Sequence, residues 1–215
     1  MPKLELIIGN KNYSSWSFRP WLAMQHAGLS FTTTVIPLDF DAGNTAIKAV
    51  SPHGKVPFLK HGDIQVWESL AILDYVAELY PDVGLWPAEL SLKAHARSAS
   101  CEMLSGFQAL RGACPMNMSR DPFELAIDEA TKKDVDRIVR LWTQALDLSG
   151  GDFLYGDFSI ADAMFAPVVS RFHTYGLTKD PVALAYMEKI RGLEAWQAWE
   201  RDARAESWVI AASDI

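Results

Sequence analysis

Three stretches hold side chains and backbone able to do chemistry. Ser51-Pro-His-Gly-Lys-Val-Pro-Phe-Leu59 comes first in importance, with Trp67-Glu68-Ser69 close behind it. Val56-Pro57 opens an apolar run, and proline lacks the N–H that an interior strand needs. It suits a strand entrance or a cis turn. A cis peptide there would leave the N–H and C=O of Val56 turned outward, free for a ligand. Glu68-Ser69 falls between a short strand and a helix that begins at Leu70. A helix N-terminus offers bare N–H groups and the positive end of a dipole. Carboxylate, hydroxyl and amides together suit a small zwitterion, although a tight turn with a helix cap uses the same residue types. The third stretch, Tyr13-Ser14-Ser15-Trp16-Ser17, sets hydroxyls at another helix start, where three serines also compete to cap it. His53 beside Lys55 reads as a solvated loop histidine. Arg97, Arg111 and Arg171, on later helices, could face the cleft but read first as surface or inter-domain pairing residues.

These stretches need a scaffold. Leu4 to Ile8 reads as a buried strand, followed by a polar turn at Gly9-Asn10-Lys11-Asn12. A helix starts near Ser15 to Ser17, carries Pro20 in its first turn and stops at Gly28. Phe31 to Pro37 reads as a second strand, so the segment forms a parallel βαβ unit. A polar loop from Asp39 to Val50, with room for one helical turn, leads to a hairpin of Val56–Lys60 and Ile64–Trp67. Leu70 to Leu79 has helical spacing. Beyond a linker with Pro81, Gly84 and Pro87, the pattern is all helix: Leu90–Ala113, Pro122 or Phe123 to Leu148, Ile160–Tyr175, Val182–Ile190 and Leu193–Ala205. The expected division is residues 1–82 and 88–215. Ser159 and Asp162 form a capping pattern before an almost wholly apolar helix, so both read as structural. The tryptophans Trp142, Trp196, Trp199 and Trp208 read as packing residues.

Composition narrows the function classes. The 215 residues are 49% hydrophobic and 22% charged, ordinary for a soluble globular chain. A net charge of -7 without a Lys/Arg run excludes a nucleic-acid surface. Two cysteines, Cys101 and Cys114, are neither paired in sequence nor near a histidine cluster, and read as small buried hydrophobes. That pattern excludes a structural zinc or disulfide scaffold and fits a reducing cytoplasm. No signal peptide pattern follows Met1, and no apolar run approaches the roughly 20 residues a membrane span needs.

The motif around Lys55-Val56-Pro57, then Glu68-Ser69, then Phe158-Ser159-Ile160-Ala161-Asp162, in this order and spacing, resembles the cytosolic glutathione transferase family. The Tyr13–Ser17 stretch looks like the Ser-Ser-Cys-Ser stretch of its serine-type, zeta-like members. The resemblance covers essentially the whole chain. It implies a thioredoxin-like α/β N-terminal domain, an all-helical C-terminal domain and a cytoplasmic homodimer that acts in detoxification. Glutathione would be the co-substrate, with no metal, and a small hydrophobic electrophile would be its partner. By this resemblance Ser14, with Ser15 next, donates to the glutathione sulfur. Lys55 meets the glycyl end, the Val56 backbone before cis-Pro57 meets the cysteinyl part, and Glu68 and Ser69 hold the γ-glutamyl end. Trp16 departs from the pattern, standing where the zeta motif has cysteine. No cysteine occurs in the first 100 residues, which argues against the members that run thiol–disulfide chemistry.

The implied chemistry is feasible. A free thiol ionises near pH 8.5, and lowering that by about two units takes roughly 2.7 kcal/mol. A hydroxyl bonded to charged sulfur supplies about 1.5–3 kcal/mol, and a helix start adds about 0.3–1 kcal/mol. The phenol of Tyr13 competes for the same role. The electrophile is expected between the domains, near the Ser14 loop and the Leu90–Pro115 helix, in an apolar pocket. A binding module without turnover is the other reading of the same residues.

Overall fold

The structure is a computed structural model that describes residues 2–214. β1 (Leu4–Ile8) runs through the core as a nearly fully buried strand. α1 (Ser15–His26) follows and returns the chain to β2 (Phe31–Val35), which pairs with β1 in parallel. The segment from Asp39 to Val50 holds more helix than expected, as α2 (Thr45–Val50). β3 (Phe58–His61) and β4 (Ile64–Trp67) form the hairpin, and α3 (Ser69–Leu79) closes the α/β part. The strand order is β2-β1-β3-β4, with β3 antiparallel to both neighbours.

That register decides where the chemistry gathers. Ile7 near the end of β1 lies opposite Phe58, the first residue of β3, and Phe58 lies opposite Trp67, the last residue of β4. The loop after β1, the residues before β3 and the residues after β4 therefore share one end of the sheet.

From Leu90 onward the regular elements are helical: α4 (Leu90–Ser105), α5 (Gln108–Ala113), α6 (Glu129–Ser149), α7 (Ile160–Tyr175), α8 (Pro181–Arg191) and α9 (Glu194–Arg204), followed by one short 3-10 turn. α7 is central, as its apolar composition requires, with nearly every residue buried. It packs against α1, α4 and α8. The carboxylate of Asp162 caps it, accepting from the N–H and the hydroxyl of Ser159, both at 2.9 Å.

Three expectations are corrected here. The expected single helix Leu90–Ala113 is broken at Gly106-Phe107. Phe107 takes the left-handed conformation (φ 59°), and a Cβ at Gly106 would stand 2.7 Å from the Glu102 carbonyl. The expected helix from Phe123 begins only at Glu129, capped by Asp128. The preceding chain instead gives its N–H groups to α7: Phe123 to Thr174 O and Leu125 to Tyr175 O. Trp208 and Cys101 are exposed, not buried, whereas Trp142, Trp196, Trp199 and Cys114 are buried as expected.

Candidate active site

Ser14 is the residue before α1, and its carbonyl accepts the Phe18 N–H. Its hydroxyl does not cap the helix. It donates to Ser17 Oγ at 2.8 Å, and Ser17 Oγ also accepts from Gly9 N–H at 3.0 Å. A hydroxyl hydrogen rotates freely. If Ser17 donates to Ser14 instead, the Ser14 proton is released toward an anion in front of the helix. Ser15 is the first residue of α1 and is buried; Tyr13 is half-buried.

The loop before β3 hangs on Ser51. The Ser51 hydroxyl lies 2.7 Å from the Lys55 carbonyl, to which it donates, and 2.8 Å from His53 Nδ1. Val56-Pro57 is cis. Among the described residues neither the N–H nor the C=O of Val56 has a hydrogen-bond partner. Lys55 is exposed. Across the same sheet end, Glu68 takes φ 73° before α3, a region disfavoured for a residue with a side chain and worth about 1–3 kcal/mol of strain. The neighbouring Ser69 is fully buried, yet its hydroxyl has no partner.

Sequence reasoning overlooked Arg19 and read Arg111 and Arg171 as pairing residues; the structure corrects this, since Arg19 and Arg171 are buried and the three interact as a cluster. Arg19 of α1 is buried, with Nε donating to Met164 O of α7 at 3.0 Å and Nη1 unpartnered. Its guanidinium lies 4.3 Å from the centre of the Trp16 ring. Arg111 lies 5.0 Å from the same ring. The helix break at Gly106-Phe107 places Arg111, because the Met103 and Leu104 carbonyls at the end of α4 lack full helical pairing and accept from its Nη2. Arg171 of α7 is buried and donates to Cys114 O at 2.7 Å.

Burial, then the charges of Arg111 and Arg171, push the pKa of Arg19 down, against the pull of Glu68. Arg171 is lowered to about 10, by burial first and Arg111 second. Arg111 is lowered by burial, while Glu68 and Asp134 oppose the shift. Among the described residues, none of the three forms an ion pair with a carboxylate. Positive charge without a carboxylate partner therefore gathers around Trp16, two residues after Ser14. One signal was available in the sequence: Arg19 and Arg171 each interrupt an otherwise apolar helical run. Arg97, by contrast, pairs at the surface with Asp74 at 3.6 Å.

Among the described residues no group of three or more His, Cys, Asp or Glu side chains is arranged to hold a metal ion. No helix there is long and apolar enough to cross a membrane.

Comparison with known proteins agrees with this fold. The chain is 28% identical over 169 residues to a probable maleylacetoacetate isomerase of Caenorhabditis elegans, covering 78% of each chain. It is 26% identical over 202 residues to the glutathione S-transferase Z2 of Arabidopsis thaliana, covering 87% of this chain and 88% of that one. Among solved structures, a glutathione transferase homolog from Burkholderia with bound glutathione superposes with a TM-score of 0.73 at 22% identity, covering 95% of this chain and all of that one. An unclassified glutathione S-transferase from Bombyx mori reaches 0.75 at 20% identity, covering 94% of each. The family model for the glutathione S-transferase N-terminal domain matches residues 13–79, and that for the C-terminal domain matches residues 126–202. With both halves matched in order and the expected fold in place, the chain belongs to the glutathione S-transferase family.

Proposed function

We propose that this chain binds glutathione at the end of its sheet, ionises the thiol there and uses it to conjugate or isomerise a small electrophile that carries an acidic group. One observation carries the reading. Ser14, the unpartnered Val56 backbone and the strained Glu68–Ser69 pair lie at one sheet end, with the Ser69 hydroxyl buried and unmet. In this reading Ser14 donates to the sulfur, with Ser15 as its neighbour in reserve. Lys55 faces the glycyl carboxylate. The Val56 backbone pairs with the cysteinyl unit beside Pro57, and Glu68 with Ser69 takes the γ-glutamyl amine and carboxylate. Relatives named maleylacetoacetate isomerase and glutathione S-transferase support the reaction class.

The acidic electrophile refines the hydrophobic partner expected from the sequence. Its support is the Arg111–Trp16–Arg19 stack, which combines a flat apolar surface with positive charge. Residues 1–82 form the glutathione-binding domain and 88–215 the helical, electrophile-binding one. A cytoplasmic homodimer with a detoxification role completes the reading. An exposed Trp67, next to a groove lined by Leu70, Trp86, Cys101 and Leu104, supports coverage by a second copy.

The deciding experiment is a pH titration of thiolate absorbance for glutathione bound to wild type, Ser14→Ala, Ser15→Ala and Tyr13→Phe. The wild-type midpoint should fall about two units below free glutathione, and Ser14→Ala alone should return it most of the way. If Tyr13→Phe alone abolishes the shift, the donor is the tyrosine. Binding without any shift favours a module without turnover, and no binding sinks the reading.

A further inference from the structure

The loop that presents Ser14 is gripped from the other end of the chain. Glu206 follows α9, and its carboxylate accepts two consecutive amides: Lys11 N–H on Oε1 at 2.7 Å and Asn12 N–H on Oε2 at 3.0 Å. Trp199 Nε1 donates to the Lys11 carbonyl at 2.9 Å, and the Asn12 carbonyl accepts from Met118 N–H at 3.2 Å. All four backbone groups of Lys11 and Asn12 are thus bound by residues of the C-terminal half. Side chains add to the grip. Asn12 Oδ1 accepts from Ser119 N–H at 2.8 Å. Lys11 Nζ pairs with Asp202 at 2.5 Å and lies 4.5 and 5.2 Å from the ring centres of Trp21 and Trp199. Surface loops usually leave such backbone groups to water. Here the two residues are 8% and 4% exposed. The turn then closes on the site, with Ser14 N–H donating to Asn10 O at 2.9 Å.

We propose that Glu206 is a positioning residue for Ser14: its carboxylate clamps the Lys11 and Asn12 amides and so fixes the turn that aims the Ser14 hydroxyl at the glutathione sulfur. This rests on the reading of Ser14 as the thiolate's donor. The ionised carboxylate gives two charge-assisted bonds, stronger than neutral ones, to adjacent amides of one short loop. Without them the loop keeps only the contacts around it, and a misplaced donor loses much of its effect on a developing charge. The proposed glutathione-holding residues Lys55, Val56, Glu68 and Ser69 lie before β3 and at the start of α3 and are not touched by the clamp.

The test uses the full chain with Glu206→Ala, Glu206→Gln and the double variant Ser14→Ala/Glu206→Ala. Glutathione is the ligand, and the readouts are its bound-thiol midpoint, its affinity, kcat and the melting temperature. Glu206→Ala should raise the midpoint by about one unit, a tenfold loss of thiolate relative to thiol, with a similar fall in kcat. Glutathione affinity should stay within about twofold, because its subsites are elsewhere. Glu206→Gln keeps the shape and one acceptor but turns its N–H2 toward the other amide donor, so its midpoint should rise as well. On the Ser14→Ala background the second change should move the midpoint no further, since the clamp acts through Ser14. If both Glu206 variants lower the melting temperature but leave midpoint and kcat at wild-type values, Glu206 only joins the two halves and the proposal is wrong. If Ser14→Ala itself leaves the midpoint unmoved, the reading beneath the proposal has failed, and the clamp has no donor to position.

Discussion

Ser69 has a hydroxyl that the fold alone does not explain. It is fully buried and unpartnered, and such a group costs about 1–3 kcal/mol. Removing it should therefore cost no stability. Ser69→Ala should unfold at an equal or higher denaturant midpoint than wild type, while its calorimetric affinity for glutathione falls about tenfold. Lost stability with unchanged affinity would make the hydroxyl structural. At this scale the sequence was partly legible. Ser14, Lys55, Val56, Glu68 and Ser69 fall at strand and helix ends, where turns and caps use the same residue types, and their roles came from the resemblance of the whole motif set rather than from spacing. Arg19 did not stand out, and Arg171 was read as a pairing residue, because periodicity reads a helix face and is silent on a charge buried among apolar neighbours. Glu206 was invisible for another reason. Its partners are 194 and 195 positions away and are backbone amides, which carry no residue signature.

Among the elements, α7 shows two effects in opposition. Its Asp162 carboxylate accepts four hydrogen bonds, from Leu154 N–H, Ser159 N–H, the Ser159 hydroxyl and the Tyr186 hydroxyl. Those bonds favour the charged form, yet complete burial outweighs them and raises the pKa to about 6. The raised value fixes the sign of the pH effect. Between about pH 4 and 6 the folded state holds a proton that the unfolded chain has released. This group's contribution to stability is therefore fully present below the unfolded pKa and is lost as pH rises through the folded one. Asp162→Asn removes the titration and turns an amide N–H2 toward donors, at a cost of about 2–4 kcal/mol. The gap between wild type and variant in urea denaturation should be larger at pH 4 than at pH 7. A gap that grows with pH would mean that the hydrogen bonds win over desolvation. The start of this helix was legible because Ser159 and Asp162 sit at cap spacing. The break at Gly106-Phe107 and the late start of α6 were not. Each depends on a tertiary partner, Arg111 in one case and the last carbonyls of α7 in the other.

On the scale of the whole molecule, charge is arranged against its own average. The chain carries a net charge of -7, which repels an acidic electrophile at long range. Arg19 and Arg111 at Trp16, with Arg171 acting on Arg19, exert their charge only locally, and burial of Arg19 and Arg171 and partial burial of Arg111 shield them from salt. Screening has a Debye length of about 8 Å at physiological salt, so it removes the distant repulsion before it weakens the buried attraction. An acidic electrophile should thus show a kcat/KM that holds or rises modestly as salt increases from low to physiological levels. Arg111 is the accessible member of the cluster, half-buried, with one nitrogen committed to the end of α4. Replacing it with glutamine removes the charge and retains a polar side chain. A charge-assisted bond is worth about 1.5–3 kcal/mol, so Arg111→Gln should lower kcat/KM for an acidic electrophile by about 10–100-fold. For a neutral aromatic electrophile of similar size the change should stay within about twofold, because the Trp16 surface remains. Equal losses for both substrates would assign Arg111 to shaping the cleft, and the acidic group would be struck from the proposed substrate.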